Sequence, residues 1–148
     1  PTILDAVGNH EIHLREGFPG TSLFDIAQGA QPERNVLVEY HGMGSATGAF
    51  MIRHGQYKYV HYVGYPSQLF DLQSDPEELT DLAVNPAYSH VLEDCRQRLY
   101  KICDPEEVDS RAKARQAELL AQNGGREAVV ARGDLGFTPV PGVAFTLD

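Results

Sequence analysis

The chain has 148 residues, enough for one domain with appendages, and its hydrophobic share of 42% can supply a core. Its net charge of −9 speaks against a nucleic-acid partner, whose phosphates such a surface would repel, and against a site for an anionic membrane. No apolar run approaches the roughly 20 residues of a membrane span.

Residues 1–8 predict a short helix with Ile3, Leu4 and Val7 on one face and Gly8 as its cap. Residues 9–35 read as loop, punctuated by Gly17, Pro19, Gly20, Gly29 and Pro32, with one helical turn expected over 22–28. His10 and His13 have the spacing of two ligands on a helix face, but no third ligand stands near them, so they read as solvated loop residues.

Residues 36–72 carry the densest β signal. Val36 to Tyr40 is a short apolar run, Ala49 to Arg53 a second, and Gln56 to Val63 a third. The third alternates, with Tyr57, Tyr59, His61 and Val63 on one face and Lys58, Val60 and Tyr62 on the other. Arg53-His54-Gly55-Gln56 predicts a tight hairpin turn about His54-Gly55. Gly64-Tyr65-Pro66-Ser67 predicts a second turn, followed by a strand over 68–72. The expectation is an α+β fold with a small antiparallel sheet of three to four strands, since an isolated hairpin is only marginally stable.

Three caps follow. Asp75-Pro76, Asn85-Pro86 and Asp104-Pro105 each place a side-chain acceptor before a proline, which predicts helix starts near 76, 86 and 105. Glu78 and Glu107 stand where a capping box would need them. The helix over 86–102 repeats Val91, Leu92, Cys95, Leu99 and Ile102 at helical spacing and should cover one face of the sheet. The helix over 105–122 has only a thin stripe of Val108, Ala112, Leu119 and Leu120, so it is expected to project or to pack on a partner. Asn123-Gly124-Gly125 ends it, and a short helix follows over 126–131. The tail 134–148 holds Phe137, Val140, Val143, Phe145 and Leu147 with two prolines, and these side chains need cover, from a fold-back or from a second subunit. Cys95 and Cys103 sit too far apart on one helix to bridge; as reduced thiols they lean toward a cytoplasmic over a periplasmic setting.

The segments AFMIRHGQYKYV, QLFDL and DPEELTDLA, in that order within residues 49–83, resemble the C-terminal part of the sulfatase family, whose hairpin reads MIRxGxYKY and is followed by LFDLxxDPxELxNLA. PTILDAVG resembles the helix that closes the large catalytic domain of those enzymes, and Gly20-Thr21-Ser22-Leu23 resembles the DGxSL after it. The likeness covers residues 1–85 well. It implies that 1–35 is a remnant and linker from the large domain and 36–103 the C-terminal subdomain, while the thin stripe and apolar tail make 104–148 a helical extension and tail expected to serve subunit contacts.

The resemblance implies a complete enzyme that hydrolyses sulfate esters with a formylglycine and a calcium ion. Neither Cys95 nor Cys103 fits the Cys/Ser-x-Pro/Ala-x-Arg motif that yields formylglycine, and no paired-Asp metal motif is present, so this chain alone is expected to be inactive and to bring no cofactor. It implies also that the loop Glu39-Tyr40-His41-Gly42-Met43-Gly44-Ser45-Ala46-Thr47-Gly48 approaches the substrate pocket, which makes Glu39, His41, Ser45 and Thr47 the candidate substrate-binding residues. Against this stands their reading as ordinary loop and sheet-edge polar groups. His61 reads as structural, and Tyr57, Tyr59, Tyr62 and Tyr65 suit a half-buried sheet as well as a stacked ligand. Two other functions fit: a phosphate or phosphonate monoester hydrolase, which shares the fold, and a self-association module without catalysis that forms a homo-oligomer.

Overall fold

The structure, a computed structural model, describes residues 1–9, 11–12, 16–18, 20–30, 34–42 and 45–132. His10, His13 and the tail 134–148 lie outside the described residues. The fold is α+β, as expected. A four-stranded antiparallel sheet runs in sequence order: β1 (Asn35–Tyr40), β2 (Ala49–His54), β3 (Tyr57–Tyr62) and β4 (Tyr65–Asp71). Ahead of it come, among the helices described end to end, α1 (Thr2–Ala6) and α2 (Leu23–Ala27). The Thr2 hydroxyl accepts from the Leu23 amide at 3.0 Å, which joins them, and Ser22 caps α2 by accepting from the Phe24 amide.

The alternation in β3 sorts side chains as the sequence predicts. Tyr59, paired with Ile52 and Leu69, faces the core with Phe50 and is almost completely enclosed. Helix α3 (Ser89–Ile102), entered through a 3-10 turn (Pro86–Tyr88), lies on that face and adds Cys95 and Leu99. The 3-10 turn forms because Asn85 accepts from the Ala87 amide and Pro86 needs no acceptor. The Cys95 thiol is unreactive by position, since burial pushes its pKa up to about 11.

Three local expectations need correction. The hairpin loop between β2 and β3 is Gly55-Gln56, with His54 still paired to Tyr57. Gly55 has φ +56° and is the only loop residue of the two with a positive φ, the pattern of a type II′ turn. The second turn is Val63-Gly64, so Tyr65, Pro66 and Ser67 belong to β4. Pro66 is tolerated there because β4 is an edge strand and carries an extra residue between the Tyr62–Tyr65 and Val60–Gln68 pairs.

The third correction is at Asp75-Pro76, where no helix forms. Asp75 caps a turn instead, its carboxylate accepting from the Thr80 amide at 2.8 Å, and Glu78 adopts φ +58°, which stops helical propagation. Glu78 reaches across to the Lys58 ammonium rather than back to the cap. The following residues dress the edge of the sheet. The Asp81 carboxylate accepts from the Leu69 amide at 3.0 Å, and the Leu82 amide donates to the Leu69 carbonyl at 2.8 Å. Both backbone groups of Leu69 are thereby closed to pairing with another strand.

Two helices complete the described chain, α4 (Pro105–Gln122) and α5 (Gly125–Ala131), separated by Gly124 at φ +87°. Among the described residues no helix is long and apolar enough to cross a membrane.

Candidate functional site

Helix α4 does not simply project. Asp104 caps it by accepting from the Glu107 amide at 3.0 Å, and Pro105 is fully enclosed. Val108 packs on the core cluster. One turn further in, Asp109 is buried although it is a carboxylate. Its two oxygens explain why: Oδ1 accepts from the Gly48 amide at 2.7 Å, and Oδ2 takes the Lys113 ammonium at 2.8 Å and the Thr47 hydroxyl at 3.4 Å. The hydrogen bond from Lys113, first, and those from Gly48 and Thr47 hold the Asp109 carboxyl below the usual aspartate range against the opposing effect of burial. A buried acid on α4 thus fixes the end of the loop between β1 and β2.

A second pair of bonds fixes the same helix to the sheet. The Glu106 carboxylate accepts from the Tyr100 hydroxyl at 2.7 Å and meets His61 Nε2 at 3.2 Å. His61 Nδ1 lies 3.4 Å from the Tyr59 hydroxyl. His61 is therefore part of the scaffold that joins β3, α3 and α4.

The four candidate residues divide between these surroundings. His41 and Ser45 line a cavity of about 560 Å³ whose opposite wall is built from α4 and α5. His41 stands edge-on to the Phe50 ring at 5.3 Å, and the Gln116 amide group donates to its carbonyl at 3.3 Å. Glu39 Oε2 is 3.7 Å from His41 Nε2, while that nitrogen is buried without a hydrogen-bond partner among the described residues. The Ser45 hydroxyl donates to the Thr47 carbonyl. Thr47 is 8% exposed and points its hydroxyl at Asp109. The fold thus brings His41 and Ser45 to one rim, sets Glu39 beside His41, and places Thr47 beneath as part of the loop's anchor.

Gly48 is a position where the fold leaves no room for a side chain. A Cβ there would lie 2.9 Å from His41 Cε1 and 3.0 Å from both Asp109 Oδ1 and Phe50 Cε2. Without it, loop, strand and helix approach closely enough for the Gly48 amide to meet Asp109.

Sequence reasoning missed Asp109, Lys113, Gln116 and Arg132, which hold or face the loop across more than sixty positions of chain. The only signal available was an acid in the middle of a helix whose apolar stripe is thin. For the metal and formylglycine that the resemblance implies, the described residues do not fit. Among the described residues no group of three His, Cys, Asp or Glu could hold a metal ion, and Cys95 is sealed in the core.

Comparison with known proteins bears on what this arrangement serves. The family described as N-sulphoglucosamine sulphohydrolase, C-terminal, matches residues 1–105. Choline-sulfatase of Rhizobium meliloti is 41% identical over 86 residues, a stretch that covers 58% of this chain and 17% of that protein. Arylsulfatase K of Gallus gallus is 36% identical over 96 residues, 57% of this chain and 17% of its own length. A crystal structure of a Bacteroides thetaiotaomicron protein described as a sulfatase superposes with a TM-score of 0.52 at 29% identity, covering 76% of this chain and 24% of that one. The chain therefore spans 17% of the length of either curated relative.

Proposed function

This chain belongs to the C-terminal family of the sulfatases, and from that premise we propose that it serves a sulfuric ester hydrolase as a substrate-selecting subdomain, with the nucleophile and the metal site supplied by other residues of the complete enzyme. The division into a linker (1–35), a sheet subdomain (36–103) and an extension (104–148) belongs to the same proposal, as does a sulfate-ester substrate. The observation that carries it is the loop between β1 and β2. It is clamped from below by Asp109 and from the side by Gln116, and it presents His41 and Ser45 at the rim of a cavity, with Glu39 beside His41. A loop held this firmly by a buried charge suits a recognition surface, which must keep its polar groups in place to discriminate.

The role of each residue follows from its chemistry. Imidazole can donate to a sulfate oxygen, and a hydroxyl at Ser45 can accept or donate. The proposed subunit contacts fall on the extension, where Val130 is 69% exposed; sedimentation of the intact chain decides whether they form.

The test is a chimera in which this chain replaces the corresponding C-terminal segment of the Rhizobium meliloti choline-sulfatase. The chimera is expected to fold and to hydrolyse sulfate esters, with a changed ratio of kcat/KM between two esters. His41→Ala should alter that ratio again, chiefly through KM. A folded, active chimera whose ratio is untouched by His41→Ala and Ser45→Ala would remove the selecting role. A folded chimera without any sulfatase activity would remove the assignment to this class of enzyme.

A further inference from the structure

The cavity beside His41 has a wall that the family match does not reach, since α4 and α5 lie almost wholly beyond residue 105. Its volume of about 560 Å³ falls inside the span of about 300–1,000 Å³ typical of small-molecule sites. Leu119, Leu120 and Val129 give it an apolar side. Leu119 and Leu120 remain 43% and 38% exposed, so their apolar surface is open to a ligand.

The polar side is formed by Gln116, Asn123 and Arg132, facing His41 and Ser45 of the loop. Among the described residues no carboxylate lines the cavity, although the chain carries 21 acidic residues against 12 Lys and Arg. Among the described residues the one Arg or Lys in the lining is Arg132. Its Nη1 donates to Asn123 Oδ1 at 3.3 Å and its Nη2 to the Asn123 carbonyl at 3.2 Å. These bonds orient the group while leaving further N–H donors of the guanidinium fork for a ligand. Asn123 is itself held, its side-chain amide donating to the Leu119 carbonyl at 2.8 Å.

We propose that this cavity binds an amphiphilic monoanion, with a ring-sized apolar body against Leu119 and Val129 and its anionic head on Arg132. An apolar wall alone would accept any hydrophobe, and a guanidinium alone any small anion. The pairing in one cavity selects molecules that carry both. The site goes beyond the loop reading above, because its determinants sit on α4 and α5 and binding requires no catalysis.

Titration of the intact chain with naphthalene-1-sulfonate at low salt, followed by amide chemical shifts, tests it. Saturable one-to-one binding is expected, with shifts concentrated on residues 116–132. Inorganic sulfate and 1-naphthol, which each present half of the ligand, should bind at least about tenfold more weakly. Arg132→Gln should weaken naphthalene-1-sulfonate by about tenfold or more, and Leu119→Ser by several-fold. Arg115→Gln, an exposed arginine paired with Glu118, should change nothing. Leu119→Ser leaves both Arg132 hydrogen bonds in place, so it gives an independent reading should Arg132→Gln loosen α5. The proposal is overturned by absence of saturable binding, by equal affinity for 1-naphthol or for sulfate, or by wild-type affinity in both variants. None of these outcomes depends on the sulfatase activity of a chimera, so the two readings fail separately.

Discussion

Leu99 on α3 and Leu119 on α4 are the same side chain on consecutive helices, yet the first is completely enclosed and the second is 43% exposed. Around Leu99, the sheet supplies Phe50, Ile52, Tyr59 and Leu69, and association is driven by removal of apolar surface from water. Around Leu119 there is a cavity. Helix α4 is held at its other end by polar anchors, Asp109 to the Gly48 amide and Glu106 to Tyr100 and His61. Hydrophobic burial tolerates small shifts because it is non-directional, whereas hydrogen bonds to a buried carboxylate demand one geometry. The helix that buries little is therefore the one that fixes the candidate site, and the well-packed half serves as its platform.

The largest expected effect breaks the platform. Leu99→Ala should cost about 2–5 kcal/mol, the transfer loss plus the cavity left among side chains that cannot all relax. Denaturant unfolding measures it as a fall in midpoint at constant slope. A loss below about 1 kcal/mol would show that α3 does not seal the sheet as described.

How much of this was legible in the sequence follows from the same contrast. The sheet was readable because Tyr57, Tyr59 and Val60 alternate and because turns need Gly55 and Gly64, whose signals are local. The errors were local as well. Tolerance of left-handed backbone at both His54 and Gly55 points to a turn about that pair, while the ladder keeps His54 paired with Tyr57. Gly64 and Pro66 together carry a turn signal, and only the strand order shows that β4 is an edge that admits Pro66. Asp75-Pro76 carried a valid helix-start signal, but the Lys58 ammonium across the sheet took Glu78, and Asp81 was drawn to the β4 edge. In the candidate site, the loop stood out by its glycines and polar groups. Asp109 did not, because its partners Thr47 and Gly48 are distant in sequence and no periodicity encodes a single long-range acceptor.

The next prediction sharpens the role of that acceptor. Asp109→Ala leaves the buried Gly48 amide unpaired and should cost about 1–3 kcal/mol. Asp109→Asn keeps an acceptor for Gly48 and loses the Lys113 pair, which is half exposed on the lysine side, so its cost at neutral pH should stay below about 1 kcal/mol. The pH dependence has a definite sign. The folded-state pKa of Asp109 is depressed, so its contribution is fully present above the ordinary aspartate range and is lost as pH falls through the lower folded value. The stability gap between wild type and Asp109→Asn should accordingly close on acidification from neutral pH. A gap that widens toward acid would contradict the description of Asp109 as an ionised, bonded carboxylate.

The smallest effect tests the other side of the comparison. Leu119→Ala removes a side chain that already faces water and the cavity, and no core residue loses a neighbour by it. Its helix propensity favours the change, since Ala is the better helix former. The expected shift in unfolding free energy is therefore within about 0.5 kcal/mol, of either sign. The same leucine-to-alanine substitution at two positions should then differ by several-fold in cost, and only packing separates them. If Leu119→Ala proves as damaging as Leu99→Ala, Leu119 is covered in the molecule in solution. Comparing the cost across protein concentrations then identifies the cover, because contacts from a second copy weaken on dilution and contacts from the same chain do not.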